Sequence, residues 1–230
     1  MSDRNVLDKL RGGLIVSVQA RTGSALDNPD VLAAIATAAK EAGAVGIRAA
    51  GEANLKAIRK RVDLPIIGIV KREYPGFEPY ITPTLQEVRE IAGCGAEIVA
   101  FDATGRPRPG GLGIADLIAE IQGTGALAMA DCATAADGVA AQAAGADVVA
   151  TTLCGYTKET DGRVLPALDL VRELAELDVF VICEGGVHSP AQGAAALEAG
   201  AEAVVVGTAI TNVEWLTQEF AEALKRSSRA

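Results

Sequence analysis

The sequence predicts a single α/β domain over residues 1–230, a closed (β/α)8 barrel, and three observations lead there. The first is a repeat. The segments "EAGAVGIRAA" (41–50), "GCGAEIVAFDA" (93–103), "QAAGADVVATT" (142–152) and "LEAGAEAVVVGTA" (197–209) each read as a helix end, a glycine and a short buried strand. Their glycines, Gly43, Gly95, Gly145 and Gly200, recur at roughly 50-residue intervals, about twice the length of one strand-plus-helix unit. The second is a set of apolar runs lying between the repeats: "GLIVSVQ" (13–19), "LPIIGIVK" (64–71), "GALAMADC" (125–132) and "DVFVICEGG" (178–186). They are continuous rather than alternating, as parallel strands covered on both faces require. The third is helical spacing of apolar residues in the stretches between, such as "PDVLAAIATAAKEAG" and "PALDLVRELAEL". An open doubly wound sheet is the alternative, but no GxGxxG opens the first helix, and the strand count comes to eight.

Composition narrows the function classes. The chain is 50% hydrophobic and 22% charged, the balance of a soluble globular protein. A net charge of −9 disfavours nucleic acid or an anionic membrane as the main partner, while leaving room for a local phosphate pocket. No apolar stretch is long enough to span a bilayer, and the opening "MSDRNVLDKLRGG" does not read as a secretory leader. Four scattered cysteines without a CxxC pair and a single histidine point to reduced core thiols in a cytoplasmic protein, with no metal cage.

In a barrel of this kind the chemistry sits at the C-terminal ends of the strands. Read in order, those ends offer Gln19 and Arg21, Arg48, Lys71, Asp102, Asp131, Thr152, Glu184 and Gly207-Thr208. Lys71 closes an apolar run, where desolvation would favour the neutral amine and so supply a base near neutral pH. The loop behind it, with Tyr74, Pro75, Gly76, Tyr80 and Pro83, has the make-up of a lid. Glu184 follows five apolar residues and precedes two glycines, a costly place for a carboxylate unless it acts or is paired. Asp102 and Asp131 balance between loop anchors and functional groups. Gly185, Gly186, Gly207 and Thr208 follow the last two strands, where backbone N–H groups in this fold commonly receive phosphate. Arg48 can add a cation to that anion or pair with an acid. His188 reads as a helix-start or solvent residue, and Trp215 as the contact that packs a C-terminal helix on the barrel or on a second subunit.

Taken together, "VKREYPGFEPYITPT", "FDATGRPRP", "MADCAT", "ADVVATTLCGYT", "ICEGGVHSP" and "VVVGTAIT" resemble the N-acetylmannosamine-6-phosphate 2-epimerase family across nearly the whole chain. The resemblance implies a cofactor-independent isomerase. It would interconvert N-acetylmannosamine 6-phosphate and N-acetylglucosamine 6-phosphate by removing and returning the C2 proton, in sialic acid and amino sugar breakdown. It implies Lys71 as the base and Glu184 as the second catalytic group. It leaves open whether the two flank C2, or whether Lys71 shuttles the proton alone while Glu184 serves ring opening or hydroxyl protons. The substrate would be held by Gln19, Arg48, Asp131 and the tyrosine of "LCGYT", Tyr156. One departure stands out: Asn212 follows "AIT" where some members have an arginine, which shifts phosphate binding onto Arg48, Thr208 and backbone N–H groups. The expected partner is a phosphosugar, with pairing into a homodimer. The alternatives are another phosphosugar barrel, such as a ribulose-phosphate-type isomerase or decarboxylase, and a phosphosugar-binding sensor without catalysis.

Overall fold

The computed structural model describes residues 3–227. Eight parallel strands close on one another: β1 (Leu14–Val18), β2 (Gly46–Ala50), β3 (Ile66–Ile69), β4 (Ile98–Asp102), β5 (Leu127–Asp131), β6 (Val148–Ala150), β7 (Phe180–Glu184) and β8 (Ala203–Val206). Each repeat segment and each apolar run supplies one of them. The outer ring is α2 (Pro29–Glu41), α3 (Glu52–Arg59), α4 (Leu85–Ala92), α5 (Ile114–Gly123), α6 (Ala135–Ala143), α7 (Leu168–Ala175) and α8 (Pro190–Glu198). A further helix, α1 (Asp3–Leu10), precedes the barrel, and α9 (Thr208–Thr211) and α10 (Val213–Ser227) follow it. The fold is a (β/α)8 barrel, as expected.

Local chemistry sets the helix limits. Asn28 opens α2 by accepting from the Asp30 and Val31 amides, and Thr84 and Thr134 form reciprocal caps with Glu87 and Asp137 on α4 and α6. Gly43, Gly95, Gly145 and Gly200 all have positive φ, which ends the helix before each following strand.

The continuous apolar runs conceal a period of two. Ile15, Ile67, Ile69, Ile98, Ala100, Leu127, Met129, Val148, Ala150, Phe180, Ile182, Ala203 and Val205 fill the barrel interior. The alternate residues, among them Val16, Ile47, Ile66, Val99, Phe101, Ala128, Val149 and Val181, pack under the helices. Continuing the inward series two residues past Ile69, Met129, Ala150 and Ile182 reaches Lys71, Asp131, Thr152 and Glu184. The polar residues at the strand ends therefore form the top layer of the barrel interior. At the opposite end, the fully buried Leu10 of α1 plugs the barrel. Gly46 makes room for it, since a Cβ there would lie 2.7 Å from Leu10 Cδ2.

The C-terminal helix packs on the barrel through its first turn only. Trp215 contacts the ring of His188 at 4.9 Å between centroids, but α10 buries none of its residues, and Phe220 and Leu224 are 71% and 70% exposed. Beside it runs an apolar groove lined by Leu14, Leu197, Val204, Val206 and Ile210. Trp215 thus packs the start of the helix on the barrel, while the rest of its apolar face stays open. Among the described residues, no helix is long and apolar enough to cross a membrane.

Candidate active site

The top layer opens into a cavity of about 240 Å³ at the C-terminal ends of the strands. Gln19, Arg48, Lys71, Tyr156, Glu184, Gly185, Gly186, Gly207 and Thr208 all line it, together with Ser17, Tyr80, Thr152 and His188. Of the residues expected at the substrate, Asp131 alone is absent from the lining. It is fully buried, and both of its oxygens are taken by Arg48 and Thr152. Its carboxylate backs Arg48.

Arg48 organises the centre. It enters from β2, is 1% exposed, and its guanidinium spans the barrel. Nη1 and Nη2 donate to Asp131 Oδ1 and Oδ2 at 3.0 and 2.6 Å, and Nη1 also donates to Glu184 Oε2 at 2.6 Å. Such a bidentate, charge-assisted pair fixes orientation as well as charge. Burial works against the arginine's charge, but the two carboxylates outweigh it and hold Arg48 firmly protonated. Two polar atoms here remain buried without a protein partner: Arg48 Nε, a donor, and Gln19 Oε1, an acceptor. Gln19 Nε2 is turned away to Ser17 Oγ at 2.8 Å. Unsatisfied buried polar atoms are costly, by about 1–3 kcal/mol each, and both of these belong to side chains that line the cavity.

Lys71 and Glu184 project from β3 and β7, diametrically opposite strands of the eight. Lys71 is reached by solvent through the mouth. Even so, burial against the surrounding wall lowers its pKa from the usual lysine range, and the charge of Arg48 adds to this. Glu184 is pushed up to about 7, because burial and the Asp131 charge together outweigh Arg48, the Thr152 hydroxyl and Lys71. An amine whose pKa is lowered and a carboxyl near its midpoint at neutral pH thus face one cavity.

The lid follows from the residues after β3. Lys71 and Ile81 form an isolated antiparallel bridge, and the Arg72 amide donates to the Tyr80 carbonyl, so the loop leaves and returns as a narrow hairpin. Thr82 closes it in a left-handed conformation at φ 44°, held by its hydroxyl on the Ala100 carbonyl at 2.6 Å. Tyr80 faces the cavity, whereas Tyr74 donates to the buried Glu87 and anchors the loop from outside. The tip residue Glu78 pairs with Lys158 and Arg106, from the loops after β6 and β4.

The glycine loops lie on the same wall. The amides of Gly185, Gly186 and Val187 have no protein acceptor among the described residues. Gly186, at φ 68°, packs so closely that a Cβ would meet Leu165 Cβ at 2.3 Å. Thr211 Oγ1 donates to the Ser17 carbonyl at 2.9 Å and ties α9 to β1, which places Gly207 and Thr208 at the rim. Asn212 accepts the Trp215 amide at 2.9 Å and caps α10.

Arg21 lies exposed outside the cavity, and Asp102 anchors its own loop. His188 is exposed, and its amide donates to Gln192 Oε1 at the start of α8. Ser17 and Thr152 were not singled out as binding residues. The one signal for Ser17 was a hydroxyl inside an otherwise apolar run. Among the described residues, no group of three or more His, Cys, Asp and Glu side chains is arranged to hold a metal ion.

Fold and cavity together define a (β/α)8 barrel with a cavity lined by ionisable groups at the C-terminal mouth. The sequence profile of the family described as "Putative N-acetylmannosamine-6-phosphate epimerase" matches residues 32–226. A Yersinia pestis (strain Pestoides F) protein described as "Putative N-acetylmannosamine-6-phosphate 2-epimerase" is 46% identical over 222 residues, covering 96% of this chain and 94% of its own. A Yersinia pseudotuberculosis serotype O:3 relative of the same description is equally similar, at 46% over 222 residues. The solved N-acetylmannosamine-6-phosphate 2-epimerase from Clostridium perfringens superposes with a TM-score of 0.92 at 41% identity, over 94% of this chain and 95% of that one. The chain belongs to the N-acetylmannosamine-6-phosphate epimerase family, whose members are isomerases.

Proposed function

We propose that the chain interconverts N-acetylmannosamine 6-phosphate and N-acetylglucosamine 6-phosphate by moving the C2 proton, as a step in sialic acid and amino sugar breakdown. The observation that carries this reading is the placement of Lys71 and Glu184 on opposite walls of one cavity, with Arg48 between them. In the open-chain sugar C2 lies next to the C1 aldehyde, which acidifies its proton. The Lys71 amine takes that proton, the electron pair moves onto O1 as an enolate, the planar enolate turns to offer its other face, and the lysine ammonium returns a proton there. The positive charge of Arg48 favours the enolate oxygen. Glu184, near its midpoint, exchanges the hydroxyl proton that moves when the ring opens. In this reading Gln19 and Tyr156 hold the sugar, and the amides about Gly185, Gly186, Gly207 and Thr208 receive the phosphate, a role supported by their shared lining of the cavity. Phosphate binding supplies the remote energy that sets C2 against Lys71. No electron changes hands in this reaction, so it calls for no redox cofactor.

Proton NMR of the full-length protein with N-acetylmannosamine 6-phosphate in heavy water tests the reading. Wild type should deuterate C2 and form the epimer. Lys71→Ala should cut both by about a thousandfold, within the range of a lost general base, while phosphosugar binding survives. Retained exchange in that variant would remove Lys71 from the mechanism.

The four free, buried cysteines support a reducing, cytoplasmic setting. The working unit in this reading is a homodimer. Phe220 and Leu224 on α10 and the groove lined by Leu14, Val204 and Ile210 leave apolar surface that a second copy would cover. Sedimentation equilibrium should report a dimer that Phe220→Asp weakens, and a wild-type monomer at micromolar concentration would overturn it.

A further inference from the structure

We propose that Thr152, in the loop after β6, is a positioning residue for Glu184, using a hydroxyl shared with Asp131 to hold the carboxylate with one oxygen facing the cavity. This rests on the reading of Glu184 as a group that exchanges protons with the substrate.

The geometry is a closed ring. Thr152 Oγ1 lies 2.7 Å from Asp131 Oδ1 and 3.3 Å from Glu184 Oε2, while Arg48 bridges the same two carboxylates from the other side. A hydroxyl carries one hydrogen and two acceptor lone pairs. The shorter contact takes the hydrogen in the arrangement seen, but Asp131 is already satisfied by two guanidinium N–H bonds. The hydrogen is therefore free to swing to Glu184 when that carboxylate is charged, and to return to Asp131 when it is neutral. Arg48 and Thr152 together fix Oε2. Glu184 Oε1 takes no hydrogen bond from the described residues, and Glu184 lines the cavity, so Oε1 is the oxygen presented to a ligand.

The neighbouring threonine completes the device. The β6–β7 ladder ends at Ala150 opposite Ile182. Beyond it Thr151 Oγ1 accepts from the Glu184 amide at 3.1 Å and donates to the Glu184 carbonyl at 2.9 Å. The side chain of Thr151 thus extends the ladder by one step in place of backbone. Of two consecutive threonines, one holds the backbone of Glu184 and the other holds its carboxylate.

The groups that set the charge of Glu184 come from every side. Arg48 from β2, Lys71 after β3 and the Thr152 hydroxyl favour the ionised form, and Asp131 from β5 opposes it, on top of burial. Tyr156 and Cys183 feel the carboxylate in turn, and His188 stands on the same cavity wall. Since the hydroxyl favours the ionised form, deleting it raises the pKa of Glu184, and the limb of the pH–rate profile that belongs to Glu184 moves to higher pH.

The test compares full-length wild type, Thr152→Val, Thr152→Ser and Glu184→Gln as kcat, KM and pH profile with N-acetylmannosamine 6-phosphate. The limb that vanishes in Glu184→Gln identifies its own titration. Thr152→Val should lower kcat by about tenfold, the scale of one hydrogen bond, with KM held within about twofold. The same variant should raise the identified limb by roughly half to one pH unit. Thr152→Ser should restore both. If the valine variant does not fold by circular dichroism, Thr152→Ala is read in its place. A limb that vanishes in Glu184→Gln yet stays in place without the hydroxyl overturns the Thr152 proposal alone. So does a kcat loss that serine fails to rescue. A Glu184→Gln enzyme that keeps both its limb and its activity overturns the reading of Glu184, and the Thr152 proposal with it.

Discussion

Asp102 and Asp131 are the same residue in the same place on adjacent strands. Each ends its strand, they are direct partners in the β4–β5 register, and both are fully buried. Yet Asp131 turns inward to an arginine that arrives from β2, three strands away. Asp102 instead bonds to Thr104 and Arg106 of the loop that follows it, with Arg108 at 3.5 Å. What separates the two is where the counter-charge comes from. A cation from across the barrel draws a carboxylate into the reacting centre, whereas a cation from its own loop makes the same carboxylate a fastener.

Asp131→Asn should produce the larger effect. Removing the charge leaves Arg48 buried with only Glu184 as a charged partner, and breaking such a pair costs about 3–5 kcal/mol in thermal or denaturant unfolding. A misplaced guanidinium should lower kcat by about a hundredfold, as ångström-scale displacements in active sites do. The charge of Asp131 pushes Glu184 up, so its loss moves the Glu184 limb to lower pH, opposite in sign to deletion of the Thr152 hydroxyl. A variant with wild-type kcat and an unmoved limb would show that Asp131 is as much a fastener as Asp102.

That distinction marks the boundary of what the chain discloses in one dimension. The eight strands were legible because a parallel barrel buries both strand faces and leaves a continuous apolar signature, and the repeated glycines gave its phase. Lys71 and Glu184 were legible because a charge that ends such a run has few cheap places to go. The inward period of two was hidden by the same continuity, so Ser17 and Thr152 attracted little notice. The pairing of Asp131 with Arg48 could not be read, since it depends on a side chain 83 residues away. The bare face of α10 could not be read either. Its apolar residues fit packing on its own barrel as well as on another molecule.

Asp102→Asn should be the milder change, and its kind matters more than its size. Asparagine keeps an oxygen for the Thr104 amide and hydroxyl, which Oδ1 receives at 3.0 and 2.6 Å. Arg106, already partly exposed, can turn to water or to Glu78. Arg108 has only 4% of its side chain exposed and loses a charge partner, but it keeps the carbonyls of Asp102 and Thr104. Burial already pulls the Arg108 pKa down, and Asp102 is the main charge that holds it up, so the variant strains this arginine first. The expected cost is about 1–3 kcal/mol in unfolding, the scale of lost hydrogen bonds to a buried group. None of these contacts reaches the cavity lining, so kcat should stay within about threefold and the Glu184 limb should not move. A kcat loss in Asp102→Asn comparable to that of Asp131→Asn would mean that the two aspartates act as one unit, with the loop after β4 reaching the chemistry through their shared register.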